Sequence, residues 1–175
     1  MSRTSSPLTG SGLGATPSLM VDPDLELKHV TKRFGTFVAV KDLSLVVEPG
    51  QFICLLGPSG CGKTTTLRLI AGLEEADEGE IWIAGERVNA TPPWQRDIAM
   101  MFQDFALFPH MTVGRQVGFG LEMLKRRKDE IRRRVREILT TFEIVDLAAR
   151  SADTLSGGQR QRVALARALA ARPRV

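Results

Sequence analysis

The eight residues Gly57-Pro58-Ser59-Gly60-Cys61-Gly62-Lys63-Thr64 constrain this chain more than any other feature, because they fit the pattern GxxxxGK[ST]. The apolar run Phe52-Ile53-Cys54-Leu55-Leu56 leads into them without alternation, the mark of a strand buried on both faces inside a parallel sheet. Thr66 to Ala71 follows with helical spacing and stops at Gly72, a natural C-cap. This order of strand, glycine loop and helix aims successive backbone N–H groups, and the positive helix N-terminus, at a phosphate chain. Glycine is needed because a side chain would obstruct that approach. In such a loop Lys63 bridges the β- and γ-phosphates, the Thr64 hydroxyl binds Mg²⁺ and Thr65 reaches the α-phosphate side.

The rest of the chain supplies the frame. Its 175 residues suffice for one domain. Leu25 to Val30 and Phe37 to Val47 alternate between turn residues and read as strands; Glu80 to Val88 reads as a hairpin and Ile98 to Phe102 as a further strand. Beyond Pro109 the spacing becomes helical, with Ile131, Val135, Ile138, Leu139 and Phe142 on one stripe. The basic residues Lys125 to Lys128, Arg132 to Arg134 and Arg136 fall mainly on the opposite face and read as a solvated surface. A net charge of +4, no Tyr and 6% aromatics argue against nucleic acid as a partner. Cys54 and Cys61 lack the neighbours for a zinc site and read as reduced thiols used as small packing residues. Met1 to about Val21 is rich in Ser, Thr, Gly and Pro; it cannot span a bilayer and reads as a flexible extension covering residues 1–22.

A second motif lies near the end. In Leu155-Ser156-Gly157-Gly158-Gln159, Ser156 can N-cap the alanine-rich helix that follows, and Gly157 and Gly158 leave its first N–H groups exposed. Physics alone leaves open a second anion site or simply a well-capped surface helix.

Together, GPSGCGKTT at 57–65 and LSGGQRQRVALARALAARP at 155–173 resemble the phosphate loop and signature motif of the ATP-binding cassette (ABC) ATPases. The resemblance runs from about Leu25 to Val175. It implies an α/β P-loop NTPase of ABC type, with an antiparallel β subdomain and a helical subdomain at about 104–170 of an ATP-binding domain 23–175. Met101-Phe102-Gln103-Asp104 is similar to the family's Q-loop, which places Gln103 near Mg²⁺ and the attacking water. Lys32-Arg33-Phe34-Gly35 resembles the segment whose aromatic stacks on adenine, for which Phe34 needs only its ring face. PPWQRDIAMMFQDFALFPHMTV at 92–113 resembles bacterial importers of polyamines, ferric iron, phosphonates and sugars.

The resemblance implies ATP and Mg²⁺ as cofactors and a homodimer, with ATP on one subunit closed over by Leu155, Ser156, Gly157, Gly158 and Gln159 of the other. It also implies transmembrane permease subunits as partners, indirectly a periplasmic solute-binding protein, and a peripheral location on the cytoplasmic face of the inner membrane. Asp104 to Val113 would line the groove for a permease coupling helix, with Phe105, Phe108 and Met111 as contacts, although core packing accounts equally well for each.

After Pro173 the family continues into a strand carrying the Mg²⁺-supporting aspartate and water-activating glutamate, and later a γ-phosphate-sensing histidine. Residues 1–175 hold none of these, and His29 and His110 match no such position. The expectation is therefore a C-terminally truncated cassette, a fragment with no catalytic residue of its own and negligible hydrolysis, since general-base assistance is worth roughly 10²- to 10⁴-fold. The same missing strand would leave Phe52 to Leu56 as an open apolar edge, so poor solubility is expected. The alternatives are a non-hydrolysing nucleotide-binding or interaction module, a non-functional remnant, or a soluble ABC ATPase of DNA repair or translation.

Overall fold

The computed structural model describes residues 22–175; the expected N-terminal extension therefore lies outside the described residues, apart from Asp22. The alternating segments form a hairpin, β1 (Leu25–Phe34) and β2 (Phe37–Val47), and a second, shorter one, β3 (Glu78–Ile83) and β4 (Glu86–Arg87). β1 pairs antiparallel with both β2 and β3, giving the order β2-β1-β3-β4. Period-two alternation buries Leu25 and Leu27 of β1 beside their register partners Ile83 and Ile81 of β3, and Leu69 and Ile70 belong to the same core.

The register of β1 against β2 shifts between Leu27 and Val30, where His29 and, opposite, Asp42 adopt left-handed φ of 51° and 49°. Their side chains meet across the bulge, His29 Nδ1 lying 2.7 Å from Asp42 Oδ1. Gly79 of β3 has φ 85°, and a Cβ there would overlap the His29 and Lys28 carbonyls, so glycine is what lets β3 cross this bulge.

Helix α1 (Lys63–Ala71) starts at the glycine loop and ends, as expected, at Gly72 in left-handed conformation, φ 73°. Its last turn is held by Arg96, 8% exposed, whose guanidinium donates to the carbonyls of Leu69 (2.9 Å), Ile70 (2.8 Å) and Thr91 (2.9 Å). Burial pushes the Arg96 pKa below the ordinary guanidinium value.

A second core is helical. α2 (Val113–Met123), α3 (Lys128–Thr141) and α4 (Gly157–Ala170) enclose Val113, Val117, Ile138, Leu139, Ile144 and Val163. The stripe read on α3 behaves as expected: Ile138 and Leu139 are buried, and Val135 and Phe142 pack against them. Arg134 reaches from α3 to the Leu169 and Ala170 carbonyls at the end of α4, both at 3.0 Å. No helix among the described residues is long and apolar enough to cross a membrane.

Two expected strands are not part of the sheet. Phe52–Leu56 is neither central nor buried: Phe52 is 92% and Leu56 86% exposed, and the segment belongs to no strand. Apolarity tells what a segment would bury, whereas a ladder requires a second backbone in register, and none of the described residues supplies one. The expected open strand edge is therefore corrected to an exposed apolar segment outside the sheet. Ile98–Phe102 is likewise unassigned, but it carries one rung. The Val175 N–H donates to the Asp97 carbonyl at 3.3 Å, and the Val175 carbonyl accepts from the Ala99 N–H at 2.9 Å. That alternation about Ile98 is parallel pairing. Between these segments, β1, β2 and α1 lies a cavity of about 320 Å³ lined by side chains such as Leu25, Leu45, Ile53, Leu67, Ile70 and Val175.

Candidate functional site

The glycine loop, residues 57–62, is exposed except for Gly62, which sits buried on β2. Gly57, Gly60 and Gly62 have φ of 154°, 82° and 93°. At Gly62 the left-handed backbone and the approach to β2 act together, since a Cβ would overlap the Ala39 carbonyl oxygen. This contact seats the N-terminus of α1 on the hairpin. Thr66 secures the same turn, its hydroxyl donating to the Gly62 carbonyl at 3.0 Å.

Lys63 is the first residue of α1, and its side chain turns back over the loop. Nζ donates to the Gly57 carbonyl at 2.7 Å and the Pro58 carbonyl at 2.6 Å, and lies 3.4 Å from Cys61 Sγ. The N–H groups of Lys63, Thr64 and Thr65 have no intrahelical acceptor by helix geometry, and no other described residue accepts from them. Helix dipole, free donors and an ammonium therefore converge on one exposed spot, which fits an anion with several oxygens. The Thr64 side chain is exposed beside them, while Ser59 lies exposed in the loop between Pro58 and Gly60. Cys54 and Cys61 are free thiols, but both are exposed, so the expected packing role is corrected.

The other candidate residues are placed apart from this loop. Phe34 ends β1 at 47% exposure, with the Lys32 ammonium 5.2 Å from its ring centroid. Its turn to Phe37 is joined to the loop through β2, where Ala39 meets Gly62. Gln103 lies exposed in the turn that follows Phe102, and no hydrogen bond among the described residues ties it to Thr64. Among those residues no group of three His, Cys, Asp or Glu side chains could hold a metal ion.

The second motif is a helix start. Ser156 N-caps α4: its side chain accepts from the Gln159 N–H at 3.3 Å, and Gln159 Oε1 accepts from the Ser156 N–H at 2.9 Å. The Ser156 cap is as expected; the reciprocal bond from Gln159, which makes it a capping box of spacing S-x-x-Q, is added by the structure. Leu155 is buried, whereas Ser156, Gly157 and Gly158 are exposed.

Sequence reasoning missed three polar residues. Arg96 braces the end of α1, as described above. Gln116 of α2, 0% exposed, donates to the Phe108 carbonyl at 2.5 Å and accepts from the Phe108 N–H at 3.2 Å. Arg167 of α4 donates to the carbonyls of Ala106 (2.7 Å) and Phe105 (3.0 Å), and its guanidinium lies 5.5 Å from the Phe108 ring centroid. Burial lowers the Arg167 pKa from the ordinary guanidinium value. No sequence spacing foretells these contacts, which join segments distant in the chain.

Comparison with known proteins follows the same lines. Residues 40–175 match the family described as ABC transporter. The chain is 54% identical over 151 residues to the Fe(3+) ions import ATP-binding protein FbpC 1 of Pectobacterium atrosepticum, an overlap of 86% of this chain and 43% of that protein. It is 53% identical over 151 residues to the spermidine/putrescine import ATP-binding protein PotA of Rubrobacter xylanophilus, covering 86% of this chain and 40% of that one. The chain thus spans about two fifths of the length of the curated relatives it matches. Among solved structures, a dimeric bacterial ABC transporter cassette superposes with TM-score 0.75 at 35% identity, covering 85% of this chain and 70% of that chain. A post-hydrolysis state of such a cassette bound to ADP and Pi superposes with TM-score 0.74 at 36% identity.

Proposed function

The chain belongs to the ABC transporter family and has its α/β cassette fold, and from that premise we propose that it is the ATP-binding part of an importer ATPase. The observation that carries this reading is the convergence at residues 57–65 of free helix N–H groups, left-handed glycines and the Lys63 ammonium. Bound there, ATP would supply the phosphate chain and Mg²⁺ would offset its charge.

In the proposed mechanism the backbone from Gly60 to Thr65 donates to phosphate oxygens. Lys63 exchanges its hydrogen bonds to the neutral Gly57 and Pro58 carbonyls for ones to anionic phosphate oxygens, in which donor and acceptor are both charged. The Thr64 hydroxyl and the Gln103 side chain would hold Mg²⁺, and Phe34 would offer a ring face to the base. Ser156, Gly157 and Gly158 face the nucleotide of a second copy; their exposure, and the dimeric state of the similar cassettes, support this.

Residues 23–175 form the ATP-binding unit in this reading, and 104–170 its helical subdomain, consistent with a helical core separate from the sheet core. The proposed setting is the cytoplasmic face of the inner membrane, with permease subunits contacted through Asp104 to Val113 and a solute-binding protein acting through them. The relatives named for ferric-ion and polyamine import support an importer.

The test is titration of the full chain with a fluorescent, non-hydrolysable ATP analogue and Mg²⁺. Saturable binding that falls at least tenfold in Lys63→Ala is expected. Equal affinity in the variant, or no binding by the unaltered chain, refutes the reading.

A further inference from the structure

Phe105 and Ala106 are consecutive non-glycine residues in the left-handed region, with φ of 64° and 41°. Each is costly for an L side chain, and two in succession persist only where surrounding groups impose them. Both carbonyls point at one guanidinium: Arg167 grips the Ala106 oxygen at 2.7 Å and the Phe105 oxygen at 3.0 Å, in the planar fork that only arginine offers. The same guanidinium faces the Phe108 ring. From the other side, the buried Gln116 amide forms a two-bond rung with the Phe108 backbone, and Phe119 packs its ring 4.9 Å from that of Phe108. Phe108 nonetheless keeps 38% of its surface exposed. A loop with an aromatic at the surface is therefore bolted to α2 and α4 at once.

Arg167 stands eleven residues along α4 from Ser156, roughly 16 Å at helical rise. A 14-residue helix with a satisfied capping box moves as one body.

We propose that Arg167 is a positioning residue that ties residues 105–108 to α4, so that displacement of the Ser156 end of α4 is transmitted to the exposed Phe108. Gln116 is its counterpart on α2. The inference rests on the reading that the Ser156 end meets a nucleotide of a second copy. Without the Arg167 fork, the strained pair relaxes and the loop no longer follows the helix.

Amide hydrogen exchange on the full chain, with and without a non-hydrolysable ATP analogue and Mg²⁺, tests this. In the analogue-free protein, Arg167→Ala is expected to speed exchange at residues 105–108 at least tenfold, with Arg167→Lys intermediate and α4 amides within twofold of the unaltered chain. In the unaltered chain the analogue changes exchange at residues 105–108; in Arg167→Ala that response is lost, while analogue affinity stays within twofold.

A loop equally protected in Arg167→Ala overturns the proposal, as does a loop that still responds to the analogue. General loss of α4 protection in both Arg167 variants overturns it too, because Arg167 is then only structural. An unaltered chain that binds no analogue refutes the functional reading instead, and the analogue-free exchange still decides whether the loop depends on Arg167.

Discussion

Replacing Arg96 by Met isolates a brace on the phosphate-loop helix, because Met keeps the apolar stem and removes every donor. In the native chain the guanidinium serves three main-chain carbonyls, Leu69, Ile70 and Thr91. The Leu69 carbonyl retains a second donor in the Gly72 N–H at 3.1 Å, whereas Ile70 and Thr91 lose their recorded partner. A buried acceptor left unsatisfied costs about 1–3 kcal/mol, which applies in full at Ile70 and at the low end at the half-buried Thr91, together about 2–4 kcal/mol. Part of this is returned, since a buried guanidinium no longer has to be desolvated, as its lowered pKa attests. A net loss of about 2–3 kcal/mol follows, roughly 30- to 150-fold in a local opening equilibrium. Hydrogen exchange at the amides of Leu69 to Gly72 measures this directly, with α3 as the internal reference. Acceleration of less than about threefold would refute the reasoning and mean that water or another donor satisfies those carbonyls.

Gly62→Ala is expected to destabilise the protein by at least about 2 kcal/mol, from a left-handed φ of 93° and overlap with the Ala39 carbonyl, and to weaken ATP-analogue binding; a melting temperature within a degree of the parent contradicts this. Ser156→Ala removes one half of the capping box and should cost about 1 kcal/mol, read as faster exchange confined to the first turn of α4. Leu27→Ala, at a 2% exposed site between β2 and β3, should cost about 2–5 kcal/mol in urea unfolding, and a change below 1 kcal/mol would show that the sheet core collapses around the gap.

The parts legible in the sequence are those whose cause is local. Gly72 stops α1 because a left-handed residue satisfies the last carbonyls, and Ser156 starts α4 because its side chain accepts a first-turn N–H. The hairpin of β1 and β2 and the stripe of α3 follow from periodicity alone. The phosphate loop is local too: the same eight residues supply the glycines, the lysine and the helix start.

What the tertiary structure decided is long-range. Phe52–Leu56 reads as a buried strand by every local measure, yet it lies exposed, because strandedness belongs to a pair of backbones and not to one. Ile98 shows the same rule at its smallest scale, paired only where Val175 meets it. Arg96, Gln116 and Arg167 carry no signal in the chain, since a surface arginine or glutamine is the ordinary expectation. Their roles arise when folding brings them against main-chain carbonyls as far as 62 residues away, which no helix or strand ladder pairs and which lie within reach of a long polar side chain.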